Sequence, residues 1–338
     1  MVGLVVAVLV ALLAGCVDGG IPSRPVIGST SVQPLVSAPG CGDIDLAVVG
    51  GTLFWTEKAK GTVKSIPTTG GTTTLIASNQ VSPGAIAADD AAVYWISNTG
   101  KIIATKARAG GAVKVLVAAT MTEEFFGVEN NINALLVDGG RLFFGRYTWA
   151  LRIPTVGGVL PTVLGHSPET DLGQPGAFAL DALHLYQTEK GHPAISRETI
   201  DGKQVGFLEG DLVKQPFAPD RIAVSRERLL VDAIALWSGK VIWADGPAIA
   251  MKSVDAREND SLTSVATLES GKDVTGFAVS EDVIYFGEAT DGTIQKVALP
   301  GGEPSVIATN QKNPRRFAAD ALSIYWRTDD CAIMKLAK

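Results

Sequence analysis

Three histidines, His166, His184 and His192, are where metal or acid–base chemistry would first be sought. Their spacing gives no Cys/His metal motif, and His184 is expected on the face opposite the other two. Four aspartates, Asp89, Asp138, Asp181 and Asp320, each stand just before a short turn. Aligned carboxylates suggest a cation, but an aspartate before a turn also accepts hydrogen bonds from the turn amides. At the same turn of separate units the four would lie far apart, so a local role is expected and no metal or cofactor is assigned. No G-x-S-x-G elbow, P-loop or strand-linked G-x-G-x-x-G occurs. The residues best suited to grip a partner are Phe125 and Phe126, in a long connection, and Arg146, Tyr147 and Trp149. Aromatic and Arg side chains in loops are frequent anchors. Phe125 and Phe126 could equally fold under as a satellite core, whereas Arg146 is expected to be exposed.

The elements that must position these residues follow from a repeat. Tandem pairs recur seven times, each ending nine residues after the start of an apolar segment. They are Phe54-Trp55, Tyr94-Trp95, Phe143-Phe144, Tyr186-Gln187, Ile242-Trp243, Tyr285-Phe286 and Tyr325-Trp326, after Leu46, Ile86, Leu135, Phe178, Ile234, Phe277 and Phe317. Unit two reads as four short strands with turns between them, Asp90-Ala91-Ala92, Asn98-Thr99-Gly100 and Gly110-Gly111. A repeat of about 40–50 residues built of such meanders predicts an all-β, seven-bladed propeller over residues 30–338. The column Ala47, Ala87, Leu136, Ala179, Ala235, Ala278 and Ala318 is mostly small, as converging inner strands require. The pairs are expected to fill the widening gaps between blades. Gln80-x-x-Pro83, Gln174-Pro175, Gln215-Pro216 and Gln311-x-x-Pro314 mark exits to the next blade. Between the fourth and fifth pairs the spacing stretches to 56 residues, and the surplus, 209–232 with Ile222-Ala223-Val224, is assigned to an insertion. The last unit lacks a fourth strand, and Thr30–Ser37 resembles one, so the N-terminal strand is expected to complete the last blade.

The chain has 338 residues, of which 19% are charged and 46% hydrophobic, enough for a large core. Its net charge of −6, without basic runs, excludes nucleic acid as a partner class. Met1–Gly15 is almost wholly apolar and reads as an export signal, and 17–29 as a flexible tether.

That apolar run ends in Leu13-Ala14-Gly15-Cys16, which resembles the lipobox of bacterial lipoproteins. The resemblance implies cleavage before Cys16 and its acylation, hence an exported chain held to the membrane by an N-terminal lipid. Val17, where inner-membrane lipoproteins carry Asp, places the outer membrane first. An ordinary cleaved signal, giving a soluble periplasmic or secreted protein, is the alternative. With Cys16 acylated, Cys41 and Cys331 remain and are expected to form a disulfide under oxidising conditions.

Phe54-Trp55-Thr56-Glu57, Tyr94-Trp95-Ile96-Ser97 and Tyr325-Trp326-Arg327-Thr328 resemble the YWTD repeat, and the blade grammar is similar to NHL-type propellers and bacterial secreted lipoproteins. The chain departs from YWTD propellers in having seven units and in the final Asp. The resemblance implies a non-enzymatic module for a protein or glycan partner, and a monomer is expected. The alternative is a metal-dependent lyase or hydrolase with its site at the channel mouth. Fold analogy does not choose between them.

Overall fold

The computed structural model describes residues 31–37, 45–118, 132–146, 149–159, 161–166, 174–190, 194–201, 220–224, 229–257 and 259–338. Its 28 strands form seven four-stranded antiparallel sheets. Blade one is the pattern for the rest: Leu46–Val49, Thr52–Glu57, Thr62–Pro67 and Thr74–Ala77, innermost to outermost. Blades two to six span 86–117, 132–166, 174–224, 229–267 and 274–308. Blade seven contains Arg315–Ala319, Ser323–Arg327 and Ile333–Ala337. Its fourth strand is Gln33–Val36, in register with Gln33 opposite Lys335 and Val36 opposite Ile333. Innermost strands of consecutive blades adjoin in order, and that of blade seven adjoins that of blade one. The ring is therefore closed through the borrowed strand, as the missing strand predicts.

Successive residues of a strand point to opposite faces, so each pair sends one side chain to either neighbour. Trp55 packs with Tyr325 in the seam between blades seven and one, while Phe54 packs with Trp95 between blades one and two. Tyr94 and Phe144 meet in the next seam, Tyr186 and Trp243 between blades four and five, Ile242 and Phe286 between five and six, and Tyr285 and Trp326 between six and seven. The tandem motif is thus the seam filler of the whole ring. The seam between blades three and four departs. Phe143 and Leu185 fill it, but the second member of that pair is Gln187, opposite Ser196, both buried. Cationic side chains also lace the seams: Lys106 Nζ donates to Ile76 O at 2.8 Å, and Lys335 Nζ to Thr68 O at 2.6 Å.

One sequence expectation is corrected. Asp220–Val224 is the fourth strand of blade four, pairing Val224 with Ala194 and Ala223 with Ile195. Ile222 is fully buried in the seam with blade five. A fourth strand has no aromatic pair after it, which is why Ile222-Ala223-Val224 fails the offset test without being an insertion. Residues 202–219 lie outside the described set.

The aligned aspartates hold turns. Asp320 Oδ1 accepts the amides of Leu322 and Ser323, both at 2.8 Å, and Oδ2 accepts the Tyr325 hydroxyl at 2.8 Å. Asp89 with Tyr94 and Asp181 with Tyr186 repeat the arrangement. In blade three Phe143 has no hydroxyl, and Asp138 instead accepts from Arg141 at 3.2 Å. Burial, then the Asp320 carboxylate, pushes the Tyr325 phenol up to about 12. Asp320→Ala strands the buried Tyr325 hydroxyl and two amides. We expect it to lower stability by about 1–3 kcal/mol, read as a shift in the urea midpoint at unchanged slope.

The exit motif also has a mechanical role. Trp95 Nε1 donates to Gln80 Oε1 at 2.9 Å, and Trp326 Nε1 to Gln311 Oε1 at 3.1 Å, so the glutamine satisfies a buried indole. Each glutamine lies against a glycine of the turn between the second and third strands of the preceding blade. A Cβ on Gly61 would stand 2.5 Å from Gln80 O, and Gly292 is as tightly placed on Gln311. Both glycines have φ +62°, so no other residue fits there without strain.

Candidate functional site

Antiparallel meanders bring the start of each innermost strand and the end of each second strand to one face of the ring. There a cavity of about 740 Å³ opens, lined by residues of all seven blades. Its wall is the column of apolar starts, Leu46, Ile86, Leu135, Phe178, Ile234, Phe277 and Phe317. Among the described residues, the charged ones that line the cavity outside this ring are Lys58, Arg315, Arg316 and Arg327, with Asp45 and Asp273. Asp45 also builds the wall: its Oδ2 accepts the Ile86 amide at 3.1 Å, tying blade one to blade two. Thr56 Oγ1 donates to Gly84 O across the same seam at 2.9 Å.

A second column stands two residues after the second member of each tandem pair. It contains Glu57, Ser97, Arg146, Glu189, Asp245, Glu288 and Thr328, and all but Asp245 are buried. Two of these side chains show what the position does. Glu288 accepts the amides of Thr290 and, at 2.9 Å, Asp291. Glu57 accepts Thr62 Oγ1 at 2.7 Å, Trp55 Nε1 at 3.2 Å and Lys64 Nζ at 2.9 Å. Burial raises the Glu57 carboxyl, but these donors outweigh it and hold it below its ordinary value of 4.5. A depressed folded pKa stabilises the protein above the ordinary range, and that share is lost as pH falls through the folded value. The stability gap between wild type and Glu57→Gln should therefore be full at neutral pH and close under acid, as thermal melts across that range would show.

This column corrects the expectation for Arg146. It is 1% exposed, shares the face of Leu142 and Phe144 toward blade two, and occupies the position held by Glu in blades one, four and six. Trp149, directly opposite Arg146, is half-buried against the seam between blades two and three and is not a free loop residue. Phe125, Phe126, Tyr147, Cys16 and Cys41 lie outside the described residues. Cys331 is buried in the turn before Ile333–Ala337. His184 begins a second strand at the opposite end of the blade from the cavity, its Nδ1 3.6 Å from Asp181 Oδ1. The side chains of His166 and His192 are not among those described. Among the described residues no three of His, Cys, Asp and Glu gather as a metal site would need.

The acidic column was readable: Phe-Trp-Thr-Glu, Tyr-Gln-Thr-Glu, Ile-Trp-Ala-Asp and Tyr-Phe-Gly-Glu all end in an acid. The channel ring is present in the sequence as the apolar starts, whose spacing marks where strands begin but not that they face a common cavity.

No protein-family model matches the sequence, and comparison with curated proteins gives no match. Solved structures do match. Catalytically inactive virginiamycin B lyase from Staphylococcus aureus with quinupristin superposes with TM-score 0.66 at 15% identity, over 91% of this chain and 99% of that one. YCF48 bound to D1 peptide gives 0.65 at 10% identity, over 91% and 94%. BamB from Moraxella catarrhalis gives 0.57 at 13% identity, over 87% and 84%. At such identities the likeness is one of architecture, and with the seven closed sheets it makes this chain a β-propeller repeat protein.

Proposed function

We propose that this protein is a lipid-anchored, non-enzymatic binding propeller of the bacterial envelope, taking a protein partner at the channel mouth. The observation that carries the reading is the cavity itself: a charged rim around an apolar ring to which every blade contributes. Concave sites with an apolar wall and a few convergent polar groups are where proteins take up ligands. YCF48, with a peptide bound, supplies a precedent on the same architecture. The anchor rests on Leu13-Ala14-Gly15-Cys16.

A Cys41–Cys331 bridge belongs to the same reading. The register that sets Val36 beside Ile333 delivers the end of the N-terminal strand two residues from Cys331. Five more residues reach Cys41, and a chain of that length spans up to about 17 Å. Closing such a long loop contributes about 4–6 kcal/mol in the chain-entropy model.

The test is photo-crosslinking in native membranes from a probe placed at Lys58 on the mouth, against the same probe at Val156 on an exposed turn. A discrete adduct from Lys58 alone supports the site, and adducts from neither or only from Val156 refute it. Palmitate labelling lost in Cys16→Ser checks the anchor, and non-reducing peptide mapping checks the bridge.

A further inference from the structure

We infer that the seam between blades three and four holds a bound water, kept by Gln187 and Ser196 in the place an aromatic ring takes in the other seams. In the other six blades this position of the second strand carries Trp55, Trp95, Phe144, Trp243, Phe286 and Trp326, all buried. Blade four carries Gln187 there, 3% exposed, directly opposite Ser196 on the third strand, 0% exposed. Residues directly opposite in an antiparallel pair share a face of the sheet. Leu185, two residues before Gln187, packs with Phe143 of blade three, so both polar side chains point into that seam. Among the described residues, Gln187 Oε1 and Ser196 Oγ find no hydrogen-bond partner.

Buried polar atoms without partners destabilise a fold, and native proteins answer them with backbone, side chains or ordered water. One water serves both atoms here: it donates to Gln187 Oε1 and accepts from the Ser196 hydroxyl. Room for it comes from both walls. Gln187 is smaller than the indoles at the same position elsewhere. Blade three answers with a row of small residues, Gly145 opposite Ala150 and Ala150 opposite Gly165. A Cβ on Gly145 would collide with Pro175, and one on Gly165 with Glu198, so the row faces blade four. Pro175 and Glu198 take up its two ends, which leaves the middle, at buried Ala150, with only a methyl group toward blade four. The surroundings favour water. Glu189 and Glu198, also buried, continue the two strands on the same face, and polar cavities hold water where apolar ones stay dry. Both acids carry interactions of their own, so the water's partners are the neutral amide and hydroxyl. Gln187 is also directly opposite Phe178, which lines the cavity, so the site lies one strand behind the channel wall.

The test is a double-mutant cycle on the full-length chain in detergent, with Gln187→Met and Ser196→Ala, read as urea midpoints at constant slope. With a water joining the two groups, either substitution alone strips it of a partner and lowers the folding equilibrium constant about tenfold. The double variant should lose much less than the product of the two, because no polar group is left to answer. Bare polar atoms give the opposite sign: each substitution alone removes an unanswered group and raises the midpoint. That result, or single losses that simply multiply in the double variant, overturns the inference. A high-resolution crystal structure of the wild type should show one oxygen within about 3 Å of both Gln187 Oε1 and Ser196 Oγ. Empty density there refutes the water. So does a peak that scatters as a metal ion, or a wild-type midpoint that falls on adding chelator. Where a variant fails to fold, the wild-type density decides.

Discussion

A chain that begins after Val36 will not fold to a cooperative ring. Removing Gln33–Val36 strips the ladder from Ile333–Ala337 and uncovers the seam of Leu53, Trp55, Tyr325 and Ile333, against which Leu35 and Val36 pack. Losing two apolar side chains costs about 1.5–3 kcal/mol each, before the lost strand pairing is added. Against a net stability of about 5–15 kcal/mol the sum is decisive. Gel filtration should show aggregated or expanded protein, and urea unfolding should lose its single sharp transition. Appending residues 30–37 after Lys338 through a two-glycine turn should restore the fold, because the borrowed strand is antiparallel to Ile333–Ala337. Failure of the appended chain, or native behaviour of the truncated one, would show that closure does not depend on this strand.

Trp326→Ala should be the most damaging single substitution in the ring. Trp326 is fully buried between blades six and seven, stacked on Phe317 with centroids 6.2 Å apart and planes at 17°. Its indole nitrogen holds Gln311, which seats the connection on Gly292. Truncation leaves a large cavity and an unanswered Gln311 oxygen, at about 3–5 kcal/mol. Trp326→Phe refills much of the space and should recover more than half of that loss. The midpoints of urea unfolding at constant slope give both values. Because Phe317 also lines the cavity, the alanine variant should loosen the mouth as well.

The ring was legible because one short motif does one job seven times. Phe54-Trp55 and its counterparts, Tyr186-Gln187 excepted, fill two seams each, so period, strand and packing all write the same signal into the chain. The missing fourth strand was legible for a related reason: an unpaired edge needs a partner, and only 30–37 had the pattern. What escaped notice were charged residues doing interior work. Arg146 and Glu57 sit at strand ends, where composition suggests solvent, yet both are buried, Glu57 among the donors of Trp55, Thr62 and Lys64. The strand Asp220–Val224 escaped because the outermost strand carries no aromatic mark and lies far along the chain from its partner. The mouth was half visible: its apolar ring was in the repeat, while the arginines facing across blade seven emerge only from register.

The sheet that completes the circle joins Gln33–Val36 to Ile333–Ala337, so its hydrogen bonds cannot form until about 300 further residues have been made. Every nascent intermediate is an open arc with bare edges, which a cell must shield.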